Sequence, residues 1–295
     1  MGHADLPLST GAAGRAAAKA RGRRVTLGQM AGRAGLAAVL VVWMGPLYWL
    51  INTTFKYKVQ IQSESPVWFP DPVTLDNLEW VYHNLDHEAL FRSVRVVALS
   101  VTVALVFGPL MAYALSRFHT RANRQLESWI ISTRMMPPAA LIMPYYFLLL
   151  RTSLLNTEFG LTLLYIAVNL PLTTWIMLAY LRSLPEDSEE AARLDGASRW
   201  GAFWYIVVPM TKSSIAAAGL LVTILTWNEF FIAFVVTSSN ITFPVQVAGF
   251  LANGMNPEYG HMAAAGFLLS LPPVIVALVF HRSLLSGLHA FAGGK

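Results

Sequence analysis

The chain has 295 residues, 55% of them apolar and only 13% charged, with a mean hydropathy of +0.51, a balance that excludes an ordinary soluble globular protein. Its net charge of +5 does not mark a nucleic-acid binder, because the basic residues fall in short segments between apolar runs and build no basic face. Cysteine is absent, which excludes a disulfide framework, a thiolate metal site and a cysteine nucleophile.

Residues 1–30 are rich in Ala, Gly and Arg and too long and basic for a cleaved signal peptide. They read as a cytoplasmic tail, and its charges at Arg15, Lys19, Arg21, Arg23 and Arg24 suit an anionic lipid surface. A spanning helix takes roughly 20 apolar residues to cross about 30 Å of hydrocarbon. Six segments qualify, at residues 31–51, 94–115, 129–150, 161–181, 214–236 and 262–285.

Between the first two lies an outer loop, residues 52–93, with Pro66, Pro70 and Pro72 followed by an amphipathic stretch over 75–90. Such a stretch suits the outer membrane face. Within it His83 and His87 stand one helical turn apart beside Asp86, a spacing a metal accepts, but without further ligands an interfacial helix accounts for them better.

The third segment carries Pro137, Pro138 and Pro144, and the fourth carries Asn169 and Pro171. These predict broken helices, which a membrane tolerates only where the freed backbone is buried in protein or lines a cavity. Arg134, inside the third segment, is expected to anchor the helix by reaching back to the interface. In the fifth segment Glu229 stands beside Trp227 and Asn228. A charge in hydrocarbon costs about 2.5–3.5 kcal/mol on insertion scales, so this cluster, with Asn169, is the candidate lining of a solute path. The alternative is pairing with a neighbouring helix. Residues 286–295 read as a short tail.

Orientation follows from Lys and Arg. With the amino terminus inside, fifteen basic residues fall in inner segments and five in outer ones (Lys56, Lys58, Arg92, Arg95 and Arg151), with Arg134 in a span. Both termini are therefore expected in the cytoplasm. The long inner loop, residues 182–213, then opens with Ser183, Pro185 and Glu186, a capping-box helix start with proline in the first turn. Asp187, Glu189 and Glu190 place negative charge at the positive end of the helix dipole. Ala191 and Ala192 give a small-residue face, Gly196 supplies a stop, and a second amphipathic stretch over 197–208 ends at Pro209. Physics alone leaves two readings, a solvated loop or a docking hairpin.

Glu190, Ala191 and Ala192, then Gly196 after three residues, then Ile206, Val207, Val208 and Pro209 after nine more, resemble the E-A-A signature of ABC-importer permeases, with Val208 in place of Leu. Leu194 to Ser198, Trp227 to Phe230, Thr133 to Pro137 and Thr74 to Asn77 are similar to the MalG-like carbohydrate permeases, as is the ending at Gly287 and Leu288, although His289 and Phe291 depart from its usual small residues. The resemblance implies an all-α integral membrane fold: six transmembrane helices over residues 31–285 with a cytoplasmic coupling helix, as in type I importer permeases. It implies that Glu190, Ala191, Ala192, Asp195 and Gly196 seat on an ATPase subunit. The expected partners are a second homologous permease in a heterodimer, two ATPase subunits that use ATP and Mg, an extracytoplasmic solute-binding protein and membrane lipid, in a bacterial inner membrane. Consistent with a non-catalytic subunit that binds no cofactor, the chain contains no G-x-x-x-x-G-K-[ST] phosphate loop. The competing readings are an ion-driven secondary transporter, which would more naturally show matched broken helices, and an intramembrane enzyme, for which the spans offer no convergent catalytic set.

Overall fold

The computed structural model describes residues 27–118, 120–252 and 258–292. Of the tail expected over residues 1–30, residues 1–26 lie outside these, as does Lys295, whereas residues 27–30 are helical. Among the described residues every regular element is helical, and the chain divides into two units, Met1–Ile51 and Asn52–Lys295. The first contains most of helix α1 (Leu27–Thr54), whose portion Gly32–Thr54 has a mean hydropathy of 1.9 and the length to cross a bilayer.

In the second unit the loop expected on the outer side folds into two short helices, α2 (Lys58–Ile61) and α3 (Asp76–Asn84). Asn77 fixes α3 by donating to the carbonyls of Thr54 at 3.0 Å and Lys56 at 2.8 Å. The amphipathic stretch does not run on to residue 90. Leu85 is extended, and Asp86 accepts from Glu88 N at 3.0 Å, so a capped new helix begins. This is α4 (His87–Arg117), which starts well outside the expected boundary at Val94.

Helix α4 packs along α7 (Glu158–Leu181). The two backbones approach closely at Gly108, where a Cβ would lie 2.6 Å from Thr173 Cγ2. Three apolar clusters of described residues join them to the fifth segment: one around Val96, Leu161, Tyr165, Ile232 and Val236, a second around Val97, Val101, Leu172, Val222 and Trp227, and a third around Ala112, Met177, Leu181, Phe203 and Val207, toward the loop over residues 182–213.

The third expected span is two helices, α5 (Asn123–Met135) and α6 (Pro138–Arg151). A residue before proline is forced toward extended backbone, and here two prolines follow one another. Met136 and Pro137 accordingly take ψ of 128° and 135°. Fourteen residues of α6 rise only about 21 Å at 1.5 Å each, short of a bilayer core. Among the described residues, five stretches have the length and hydropathy to span: Gly32–Thr54, His87–Arg117, Glu158–Leu181, Arg199–Trp227 and Tyr259–Phe280.

The fifth span also differs from expectation. It begins fifteen residues before Ser214, as a run through α9 (Arg199–Ala202), a π-helical turn (Phe203–Val207) and α10 (Val208–Trp227). Pro209 does not break it. The wide π turn, closed by Val208 N on Phe203 O, makes room where a proline ring would meet the carbonyl four residues back. The run stops at Trp227 and restarts as α11 (Phe231–Val236). After α12 (Phe243–Ala252), helix α13 (Tyr259–Ala292) carries the last span through Pro272 and Pro273. Residues 286–292, expected as tail, are its continuation.

Candidate functional site

The loop that opens at residue 182, expected on the inner side, folds into a helical hairpin. Ser183 does not cap its first helix; its hydroxyl donates back to Tyr180 O at 2.7 Å, closing the end of α7. Pro185 lies before the helix, which is α8 (Asp187–Leu194), preceded by Glu186 without a side-chain cap. Asp187, Glu189 and Glu190 occupy its first turn, where the helix dipole favours negative charge. At its end Ala197 N bonds Ala192 O at 3.0 Å and Gly196 N bonds Arg193 O at 3.1 Å. This pair of bonds is the Schellman arrangement, which needs a left-handed residue just past the helix. Gly196 supplies it with φ +92°. Ser198 then caps α9, accepting from Gly201 N at 3.0 Å.

One side of α8 is bolted to the membrane domain. Glu189 Oε1 accepts from Arg117 Nε at 2.9 Å and Nη2 at 2.8 Å, and its Oε2 accepts from Tyr113 Oη at 3.1 Å. Arg117 also reaches Glu186 Oε1 at 3.2 Å, and the side chains of Arg117 and Glu189 are only 10% and 11% exposed. A second pair, Arg182 to Glu127 at 2.5 Å, joins the start of the loop to α5. Arg199 stands over the Phe118 ring at 4.9 Å, a cation–π contact. Sequence reasoning used Arg117 only to orient the chain and Glu189 only as a dipole charge. Their partnership bridges 72 positions, and no local periodicity signals it.

The other side is open. Glu190, Ala191, Asp195 and Gly196 are exposed and Ala192 is half-buried. Leu194 is 89% exposed and Tyr205 81%, with Trp200 and Trp204 also exposed nearby. No atom lies within 4 Å of where a Cβ on Gly196 would sit, so glycine stands there for its backbone and not for close packing.

The intramembrane cluster is held by its own contacts. Glu229 caps α11, accepting from Ile232 N at 2.9 Å and Ala233 N at 3.3 Å, and it accepts from Tyr165 Oη at 2.8 Å. That carboxylate is why the span restarts after the break. Trp227 is buried, its indole donating to Leu269 O at 3.0 Å, and buried Asn169 donates to Thr226 Oγ1 at 2.7 Å. Asn228 is exposed, with its amide on Ile224 O at 2.8 Å. Of the four candidates, then, only Asn228 and half-buried Glu229 present surface. Beneath the break is a void of about 10 Å³ bordered by Ser93, Thr226, Glu229 and Thr242. Tyr165, unremarked in the sequence, completes the cluster.

Arg134 does not reach back toward the interface. Its Nη1 donates to Val168 O at 3.0 Å, the carbonyl next to that of Ala167, whose helical donor position is taken by Pro171. It lines a cavity of about 510 Å³ with Trp129, Thr133, Pro138, Tyr145 and Pro171. The break in the third segment therefore does border a cavity, whereas the fourth segment, expected to break at Asn169 and Pro171, is the continuous helix α7 with Pro171 inside it. Away from the hairpin, Asn156 Oδ1 accepts from Ser238 N, Ser239 N and Asn240 N at 2.8–3.1 Å, tying the loop after α11 to the turn before α7. The two histidines of the outer loop make local contacts: Tyr82 packs on both, and His83 lies 3.8 Å from Glu79.

Residues 104–288 match the family model described as binding-protein-dependent transport system inner membrane component. The chain is 30% identical to the trehalose transport system permease protein SugB of Mycobacterium tuberculosis (strain CDC 1551 / Oshkosh), over 82% of this chain and 89% of that one. It is also 30% identical to the trehalose/maltose transport system permease protein MalG of Thermococcus litoralis, over 88% and 94%. To the diacetylchitobiose uptake system permease protein NgcG of Streptomyces coelicolor it is 31% identical, over 83% of each. In fold it is similar to a crystal structure of a bacterial ABC transporter involved in the import of the acidic polysaccharide alginate, with a TM-score of 0.71 at 22% identity, covering 88% of this chain and 97% of that one.

Proposed function

Because the chain belongs to the family of inner membrane components of binding-protein-dependent transport systems, a family of multi-pass, non-catalytic transport subunits, we propose that it forms half of the path of an ATP-driven sugar importer. The observation that carries this is the inner hairpin: α8 is bolted through Glu189 to Arg117, and Glu190, Ala191, Asp195 and Gly196 are left exposed on its open side. A rigidly held helix with a small, uncovered face suits docking into a groove on a separate ATPase, and the chain has no phosphate loop of its own. Ala192, half-buried at the helix foot, completes the docking set. The ATPase partner hydrolyses ATP with Mg, and its movement reaches the spans through the Arg117–Glu189 contact.

The remaining assignments follow from this topology. The chain crosses six times, with α5 and α6 together making the third crossing and both termini in the cytoplasm. Residues 31–285 form the permease domain, residues 182–213 its coupling loop, with a tail at each end. A second, homologous permease supplies the other half of the path in a heterodimer, and an extracytoplasmic solute-binding protein delivers the cargo. Asn228 and Glu229 face the solute, with buried Trp227 and Asn169 holding the break from behind. The relatives named for trehalose, maltose and diacetylchitobiose transport support a sugar, oligosaccharide or polyol as cargo.

The test is ATPase activity of the reconstituted complex with its own binding protein, across a panel of sugars and polyols. Stimulation by at least one member is expected. No stimulation by any of them would remove the carbohydrate assignment.

A further inference from the structure

We infer that the outer loop between α1 and α3 is a lipid anchor, with Trp68 and Phe69 inserted at the headgroup boundary of the outer leaflet. The loop is closed on itself: Thr74 N bonds Phe55 O at 3.0 Å, and Gln60 Nε2 donates to Asp71 O at 2.8 Å and Pro72 O at 3.2 Å. A braced loop of this kind holds its side chains at a defined level.

That level is set by Asn52, in the last turn of α1. Its amide donates to Trp68 O at 2.9 Å and Val67 O at 3.2 Å. Residues 47–51 immediately before it are Leu, Tyr, Trp, Leu and Ile, so Asn52 marks where the apolar run of a spanning helix ends. Tethered there, Trp68 and Phe69 lie at interface depth, where aromatic rings concentrate in membrane proteins. They are 60% and 78% exposed, a large apolar surface to leave in water, and Val73 and Leu75 are exposed in the same loop. Glu64 and Asp71, also exposed, provide the polar rim that stays on the aqueous side. A docking surface for a soluble protein would not need to be tied to the end of the hydrocarbon-spanning run.

The chain has no cysteine, so each variant is labelled at one position before assembly with unlabelled partner subunits. Phe69→Cys and, as a reference on the rim, Glu64→Cys are spin-labelled in the assembled transporter. The complex is reconstituted in vesicles of phosphatidylethanolamine and phosphatidylglycerol, and each label's collision rates with oxygen and with a water-soluble nickel chelate are measured. The expected result is a several-fold higher oxygen-to-nickel ratio at position 69 than at position 64, unchanged by adding the solute-binding protein. Equal ratios at the two positions would overturn the inference, as would shielding from both reagents. A label at 69 open to nickel until the binding protein is added would assign the surface to that protein instead.

Discussion

Arg117, the last residue of α4, holds Glu189 of α8 through two hydrogen bonds of 2.8 and 2.9 Å in a site where both side chains are nearly buried. Glu189 is the neighbour of the signature glutamate Glu190, and it faces the spans where Glu190 is exposed. Removing one member of such a pair strands the other charge, so Arg117→Ala and Glu189→Ala should each lower stability by about 2–3 kcal/mol. Thermal unfolding of the detergent-solubilised complex measures this. The double variant should lose less than the sum, and the reversed pair, Arg117→Glu with Glu189→Arg, should recover part of ATP-coupled uptake.

Gly196 tests docking separately from folding. Valine at φ +92° is strained by about 1–3 kcal/mol, which unravels the Schellman turn but touches no span. Gly196→Val should abolish ATPase stimulation by the loaded binding protein while the unfolding temperature shifts little. Gly196→Asn, which tolerates the left-handed region better, should retain part of it.

This hairpin also shows how far the sequence could be read. The signature spacing located it in the chain and marked its glycine stop and its acidic first turn. They misread its start, because Ser183 turns back to Tyr180 O and competes with the helix it was expected to cap. The same limit recurs in the membrane. Paired prolines at 137 and 138 announced a broken third segment, whereas the break at 228–230 contains no proline and depends on Glu229 catching the amides of Ile232 and Ala233. Local pattern reveals where a helix cannot continue. It does not reveal where a distant partner such as Tyr165 or Arg117 makes stopping favourable.

Glu229 has both a structural and a path assignment, and two substitutions divide them. Glu229→Ala removes the acceptor for Tyr165 and for two amides and should cost about 1–3 kcal/mol in thermal unfolding. Glu229→Gln keeps one acceptor oxygen and should be intermediate in stability. If both variants unfold like the wild type, the capping role is wrong.

Gly108 tests the packing of α4 on α7. An added Cβ would lie 2.6 Å from Thr173 Cγ2 and 3.3 Å from Thr174 N, and backbone cannot yield as a flexible side-chain end can. Gly108→Ala should destabilise the complex by about 1–3 kcal/mol, and Gly108→Val should prevent its accumulation in the membrane. Quantifying the assembled complex in membrane extracts checks both.

The central claim is that this chain moves solute only when a separate ATPase drives it. The direct measurement is uptake of the stimulating sugar into proteoliposomes carrying the full complex, with ATP and Mg supplied at the ATPase side or with proton or sodium gradients alone. Uptake that requires ATP and disappears with Gly196→Val is the predicted result. Uptake that persists on an ion gradient without ATP would contradict the account and assign the chain to ion-driven transport.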